Sequence, residues 1–276
     1  MPTQAEKAAA FRKLHEGPAT FVIPNPWDAG TAKILESLGF SALATTSAGL
    51  AYTLGRLDGQ VTRDEALANA AAICAATSLP VSADLENLYA HAPDMAAATI
   101  PSAAAAGLVG CSIEDATGDA ANPIYPMDVA VARVMAAVAA ARALPFPFTL
   151  TARAENFLHG RRDMPDTLAR LKAYAAAGAD VLYAPGLGEL DQFAAVVQAT
   201  SKPVNALVPP SFPDLTVAGL ASVGVRRISV GAGLSRAALG GFLAAAEEIK
   251  NHGTFSYGRA QFPPARLHPI LAKDPS

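Results

Sequence analysis

Four short runs in the middle of the sequence end in polar groups that can do chemistry: Thr45-Thr46-Ser47, Asp84-Leu85-Glu86, Glu114-Asp115 and Arg153-Ala154-Glu155. The acids come in pairs, and carboxylate oxygens are what a hard divalent cation such as Mg²⁺ takes. Such an ion keeps several waters and needs only one or two direct carboxylates. An acid at a strand end otherwise caps the next helix or pairs with a base; two acidic pairs on successive runs favour a metal site. Arg153 presents a planar fork matched to a carboxylate or phosphate. An internal ion pair with Glu155 or Glu114 is its other reading, and the two roles are compatible. The small residues of Thr46-Ser47-Ala48-Gly49 let backbone N–H groups approach a carboxylate or a developing oxyanion, where the plain alternative is a turn. Val230-Gly231-Ala232-Gly233 resembles a phosphate-binding strand end, with close glycine packing an equal reading.

These groups serve one ligand only if the chain brings them to one place. Eight β-rich runs alternate with Ala/Leu-rich segments of helical period: Phe21 to Pro24, Ala42 to Thr46, Val81 to Asp84, Val109 to Ile113, Phe148 to Ala152, Val181 to Ala184, Val204 to Leu207 and Ile228 to Val230. Helix starts are marked by Asp28, by Thr62 with Glu65, and by Pro93-Asp94 before a run over 95–106. Helix ends fall at Gly39, Gly107, Gly178 and Gly224, where a left-handed residue is least strained. Strict alternation predicts a parallel sheet, and eight units predict a single (β/α)8 TIM-type barrel whose strand ends share one mouth. An open doubly wound sheet is the alternative. We expect one domain over 1–276, with a barrel core at about 18–250 and a C-terminal helical extension or tail at about 251–276. Pro263, Pro264 and Pro269 bar a long helix there, so the tail packs over a neighbour or stays loose.

The whole-chain numbers fit this reading. A chain of 276 residues, 51% hydrophobic and 16% charged, can bury a large core. A formal net charge of -3 gives no reason to expect nucleic acid or an anionic membrane. Cys74 and Cys111 offer neither a disulfide framework nor metal spacing, which points to a reducing cytoplasm. The N-terminus lacks the apolar core of a signal peptide. The apolar stretch Val129 to Ala143 carries Arg133 and Arg142 and is too short for a bilayer, which takes about 20 residues. No P-loop, nucleophile elbow, zinc spacing or dinucleotide fingerprint occurs.

Seven motifs in order carry a resemblance: Pro24-Asn25-Pro26-Trp27-Asp28-Ala29-Gly30, Thr46-Ser47, Leu57-Asp58-Gly59, Pro80-Val81 running into Asp84, Ser112-Ile113-Glu114-Asp115, Thr151-Ala152-Arg153 and Ala177-Gly178-Ala179-Asp180. Across roughly residues 18–250 the chain resembles the isocitrate lyase and phosphoenolpyruvate mutase superfamily. The resemblance implies a Mg²⁺-dependent barrel enzyme acting on a small 2-oxo or 2-hydroxy dicarboxylate through the enolate of a 2-oxo acid, as a carbon-carbon lyase or decarboxylase. It also implies a homo-oligomer, a dimer or tetramer exchanging C-terminal helices. Asp84 then matches the principal Mg²⁺ ligand, and Asp58, Glu86 and Glu114 match acids that hold the ion largely through water. Arg153 matches the arginine on the substrate carboxylate. Substrate contacts fall to Thr46, Ser47, Ala48, Gly49, Asp84, Arg153 and Asn205, and catalytic roles to Arg153, Glu114 and Asn122.

The departures are specific. The family's lyases carry a Lys-Lys-Cys-Gly-His type of loop whose cysteine transfers a proton; here the stretch is Ala116-Thr117-Gly118-Asp119-Ala120-Ala121-Asn122-Pro123-Ile124-Tyr125. Cys74, in a helical pattern, and Cys111, inside a strand, cannot replace that cysteine. The Asp-Ala-Asp-Thr-Gly-Tyr-Gly segment becomes Asp84-Leu85-Glu86-Asn87-Leu88-Tyr89-Ala90, and Ala44 stands where a tyrosine is common. Isocitrate and methylisocitrate cleavage are therefore disfavoured. Asp119, Tyr125 and Glu155 are substitute proton-transfer candidates, and Asn122 can position an oxyanion. Phosphonate (carbon-phosphorus) mutase or hydrolase chemistry is one alternative; a 2-oxo acid binding protein without turnover is another. His91 has no partner spacing, and His159 to Asp163, just past the Arg153 strand, is either part of the mouth or, as the preferred reading, a solvated loop.

Overall fold

A computed structural model describes residues 1–209, 211–212 and 214–273. The last three residues of the expected tail, 274–276, lie outside the described residues. Eight strands form one parallel sheet: β1 (Phe21–Ile23), β2 (Leu43–Ala44), β3 (Val81–Ala83), β4 (Gly110–Glu114), β5 (Thr149–Arg153), β6 (Val181–Tyr183), β7 (Val204–Leu207) and β8 (Arg227–Ser229). Their order is β1-β8-β7-β6-β5-β4-β3-β2, which is a nearly closed (β/α)8 barrel. Between β1 and β2 there is no ladder; Ala44 N donates to Pro24 O at 3.1 Å, and Asn25 Nδ2 reaches Thr45 O at 3.0 Å.

Helices surround this sheet: α1 (Gln4–Glu16), α2 (Ala29–Ser37), α3 (Ser47–Thr53), α4 (Arg63–Ala76), α5 (Pro93–Ala97), α6 (Thr99–Ala105), α7 (Met127–Arg142), α8 (Met164–Ala176), α9 (Leu190–Ala199), α10 (Val217–Ser222), α11 (Gly233–His252) and α12 (Pro264–Ala272). Asp28 caps α2 and Thr62 with Glu65 forms the capping box of α4, as the local sequence predicts. Gly39, Gly107, Gly178 and Gly224 all take positive φ where helices end. The run expected as one helix over 95–106 is two, because Pro101 has no N–H to bond the preceding turn. Pro269 lies inside the short α12, which folds back on α2, where Lys33 Nζ donates to Leu271 O at 2.8 Å and Lys273 O at 3.0 Å.

The barrel interior is unusually polar. Ser82, Ser112, Thr151, Asn205, Arg227 and Ser229 are all buried in it. Its N-terminal end is closed by α1: a Cβ on Gly110 would come within 3.2 Å of the Phe11 ring and 2.6 Å of Thr149 O. His15 packs edge-on between Phe11 and Phe21 with ring centroids 4.6 and 5.1 Å away. Burial pulls its pKa down to about 3, with Arg227 adding to the shift, so the ring is neutral. Among the described residues no helix is long and apolar enough to cross a membrane.

Candidate active site at the barrel mouth

Strand alternation sorts the acidic pairs. Residues two apart share a face, so Ser112 and Glu114 point into the barrel while Asp115 points out. Asp115 is a structural acid: its carboxylate accepts from Arg170 Nη1 at 3.0 Å, Tyr174 Oη at 2.5 Å and Glu155 N at 2.8 Å. It ties the end of β4 to α8 and to the turn after β5.

Arg153, at the end of β5, is the hub of the inward groups. Its Nη1 lies 2.8 Å from Asp84 Oδ1, its Nη2 3.2 Å from Glu114 Oε2, and its Nε 2.7 Å from Glu155 Oε1. The guanidinium sits over the Tyr183 ring, 5.0 Å from the centroid. Burial alone would lower the arginine's pKa, but Glu155, Glu114 and Asp84 outweigh it and hold the cation charged. Asp84 is also met by hydroxyls: Ser112 Oγ donates to Oδ1 at 3.1 Å and Ser47 Oγ to Oδ2 at 3.0 Å.

The other acids carry the strain of this crowding. Glu86, two residues past Asp84, is pushed up to about 7, first by burial and then by Asp84 and Asp58. Burial raises Glu114 well above the usual carboxylate range, with Arg153 opposing; Glu155 is raised the same way. Asp58, on an exposed turn after α3, is raised by the protein around its carboxyl, with Ser47 pulling the other way. Arg153 alone cannot neutralise five acids at close quarters.

Among the described residues no group of three or more His, Cys, Asp or Glu is arranged as a ready metal cluster. One orphan points to a cation nonetheless: Glu86 Oε1 is buried with no hydrogen-bond partner. A buried acceptor without a partner is costly, and its neighbours Glu114 and Asp58 are raised first by burial and then by the nearby acids. Oxygen donors of this kind fit Mg²⁺ held by one direct carboxylate and water.

The remaining predicted groups are placed as follows. The 46–49 segment is the start of α3 rather than a loop: Thr46 caps it, accepting from Gly49 N at 3.2 Å, because a Ser/Thr hydroxyl satisfies an orphan amide there. Ser47 N points to Asp84 Oδ2 at 3.4 Å, and a Cβ on Gly49 would strike Thr46 Cγ2 at 2.5 Å. Asn205 lies on the wall of a cavity of about 50 Å³ under Arg153, accepting from Arg227 Nε at 2.7 Å and donating to Ser229 Oγ at 3.0 Å. Asn122 is exposed and bonds Asp119 Oδ2 at 3.2 Å within its own loop, away from Arg153. Tyr125 is buried against His91, Oη to Nδ1 at 2.5 Å. The amides of Val230 and Gly231 are both taken by Asn25 Oδ1 at 2.9 Å, which favours the packing reading over a phosphate site. Cys74 and Cys111 are buried, and burial raises both thiols, Cys74 to about 12.

Tyr183 and Arg227 were not singled out by sequence, and Ser112 was named only as part of the Ser112-Ile113-Glu114-Asp115 motif. Ser112 shares a face with Glu114 by strict alternation, so that signal was present; nothing local marked the other two. A larger groove of about 660 Å³ opens at the N-terminal end of the barrel, near Arg142 and Lys202. Its ion pairs, Arg12 with Glu16 and Arg142 with Asp180, are mutually satisfied, so its size does not make it the site of chemistry.

Comparison with known proteins finds relatives that share this fold. Residues 11–250 match the family model described as phosphoenolpyruvate phosphomutase. A candidate lyase/mutase from Burkholderia cenocepacia J2315 is 55% identical with a TM-score of 0.96, covering 99% of this chain and 98% of that one. An uncharacterised protein of Mycobacterium tuberculosis is 34% identical over 80% of this chain and 81% of its own length. Oxaloacetate acetylhydrolase in complex with the product oxalate is 25% identical, with a TM-score of 0.89 over 99% of this chain and 96% of that one. The relatives include proteins named as lyases, a decarboxylase and a phosphonomutase.

Proposed function

The chain belongs to the phosphoenolpyruvate mutase and isocitrate lyase superfamily, and we propose that it is a Mg²⁺-dependent carbon-carbon lyase or decarboxylase. Its substrate is a small 2-oxo or 2-hydroxy dicarboxylate, cleaved through an enolate to give a 2-oxo acid. One observation carries this reading: Arg153 meets Asp84, Glu114 and Glu155 at the mouth while Glu86 Oε1 stays buried and unpaired beside them. An oxyanion clamp and a cation site thus lie side by side.

In this proposal Asp84 would hold the cation directly, and Glu86, Asp58 and Glu114 would hold it through water. When bound, Mg²⁺ supplies Lewis acidity to the substrate's α-oxygen and carboxylate. Arg153 orients that carboxylate through its planar fork. Ser47 and Ser112 keep Asp84 in place, and the first turn of α3 faces the developing oxyanion. Glu114 stands next to the clamp, and burial raises its pKa above the usual carboxylate range, the direction a proton-transfer group needs. Asn122 enters only if its loop turns inward from Asp119.

The test is a panel of 2-oxo and 2-hydroxy dicarboxylates, oxaloacetate first, assayed with Mg²⁺ and with a chelator. Production of a 2-oxo acid that needs the cation and is lost in Asp84→Ala and Arg153→Ala supports the reading. Phosphate release from phosphonopyruvate without lyase activity replaces it with phosphonate chemistry. A second reading has its own support: Asp119 and Asn122 are bonded to each other within the loop. A 2-oxo acid binding protein would then bind with Mg²⁺ and turn nothing over.

We further assign the chain to a reducing cytoplasm and to a homo-oligomer built on its C-terminal helices. Phe242 and Leu243 on α11 are 72% and 56% exposed, which is apolar surface a second copy can cover.

A further inference from the structure

We propose that Arg133 is a positioning residue for the acidic site: from beneath, it holds the segment that carries Glu86 in a backbone conformation the segment would not otherwise keep. The inference rests on reading Asp84 and Glu86 as cation-holding acids.

After β3 the chain passes through Glu86 (φ 50), Leu88 (φ 60) and Tyr89 (φ 58), three left-handed residues that are not glycine. Such residues are individually uncommon, and three within one short segment require the surroundings to impose them. Arg133, on α7, reaches this segment from a distant helix. It is 1% exposed and donates from Nη1 to Ala90 O at 2.5 Å and to His91 O, and from Nη2 to Asn87 O. Three carbonyls of one segment are gathered by one planar fork, a geometry a lysine ammonium cannot reproduce. No carboxylate pairs with it among the described residues.

Two neighbours complete the grip. Thr99 Oγ1 donates to Leu88 O at 3.0 Å, and Leu88 itself is fully buried. The Tyr125 ring lies 4.5 Å from the Arg133 guanidinium and its hydroxyl meets His91, so the end of the 116–125 loop rests on the same joint. At the other end of the segment, Glu86 O accepts from Glu114 N at 3.1 Å. The result is a carboxylate held open beside Asp84 with Oε1 unpaired, rather than collapsed onto a local donor.

The test measures Mn²⁺ affinity by electron paramagnetic resonance and amide exchange over 86–91 in Arg133→Met, Arg133→Lys and a control, Val134→Ala, which disturbs the same helix. Outer residues that orient a metal ligand typically change affinity by about 10- to 100-fold. We expect Arg133→Met to lose Mn²⁺ affinity in that range and to exchange faster over 86–91, Arg133→Lys to recover part of both, and Val134→Ala to lower only thermal stability. Wild-type affinity and exchange in Arg133→Met overturn the proposal, as does an equal affinity loss in Val134→Ala. If Arg133→Met does not fold, Arg133→Lys decides, because native affinity with native exchange there also overturns it. If the wild type binds no Mn²⁺, the cation reading fails, and exchange over 86–91 in Arg133→Lys still judges the positioning role.

Discussion

Arg153 Nη1 and Asp84 Oδ1 stand 2.8 Å apart across the barrel mouth, so the group that clamps an anion and the group that holds a cation are each other's partners. Neither is free for its ligand until the other is satisfied. A cation on Asp84 supplies the positive charge the guanidinium now provides and releases Nη1 for a substrate carboxylate. Cation and carboxylate should therefore bind with positive coupling, which is reciprocal by linkage. Calorimetry should show oxalate binding at least about tenfold tighter with Mg²⁺ than without it, a coupling of about 1.4 kcal/mol. Equal affinity in both conditions would falsify this exchange of partners.

Removing the hub has a second consequence. Arg153→Met leaves Asp84, Glu114 and Glu155 facing one another in a buried setting with no protein cation between them. Breaking a buried pair by deleting one partner typically costs about 3–5 kcal/mol. Denaturant unfolding of the variant should show a loss of that order at neutral pH and a smaller one in acid, where the carboxyls can protonate. A neutral-pH loss under about 1 kcal/mol, the scale of exposed pairs, would mean that solvent reaches these acids freely.

Removing the metal gives a third check. A ligand that binds only the folded state adds about 2.7 kcal/mol at one hundred times its dissociation constant. Saturating Mg²⁺ or Mn²⁺ should accordingly raise the melting temperature by several degrees, a chelator should reverse it, and Asp84→Asn should abolish the response. A full cation response in Asp84→Asn would remove Asp84 from its role as principal ligand.

The barrel was legible in the sequence because its signals are local. Each β-rich run lies within a residue or two of an observed strand, and the glycines at 39, 107, 178 and 224 end helices for the reason that marked them. The convergence of Asp84, Glu114 and Arg153 followed from the barrel alone, since strand ends share a mouth. What was not legible depends on contacts between distant elements. Alternation alone separates Asp115 from Glu114, but nothing local announced its partners Arg170 and Tyr174, which lie on a helix far along the chain. The left-handed turn after Asp84 has no glycine to announce it, because Arg133, on a helix far along the chain, imposes it from below.

The raised carboxyls set a pH dependence with a definite sign. Glu86 titrates at about 7 in the folded protein against an ordinary value of 4.5, and Glu114 and Glu155 shift the same way. Between those values the folded state holds protons that the unfolded chain has released, so metal-free stability falls as pH rises through the window. Thermal unfolding from about pH 4.5 to pH 7 should show this decline, lessened by Mg²⁺ and reduced in Glu86→Gln. A flat or rising profile in the metal-free protein would contradict the crowding of acids at the mouth.

Asn122 separates the loop from the scaffold. It is exposed and its contacts stay within the loop, so Asn122→Ala should change stability by less than about 0.5 kcal/mol. If the loop closes over substrate, the variant should lose at least about tenfold in kcat with little change in Mg²⁺ affinity, as expected for a contact made only in the transition state. Unchanged kcat would assign Asn122 to the loop's own turn with Asp119.

The C-terminal helix carries the last prediction. Leu239, Phe242 and Leu243 leave α11 with exposed apolar side chains, and Phe255, just beyond the helix, is 68% exposed. Scattered apolar residues on a surface need no explanation, but a row on one helix that projects beyond the barrel does. A second copy of the chain is the partner that matches it, because a twofold interface lets the same apolar row meet itself. Light scattering should report a dimer or tetramer for the wild type and a smaller species for Phe242→Glu with Leu243→Glu. The mouth is built from strands of one chain, so the double variant should keep Mn²⁺ binding at Asp84 even when the assembly falls apart. An oligomer that survives both substitutions would place the interface elsewhere on the barrel, and a monomeric wild type would leave the exposed row without a partner of its own kind.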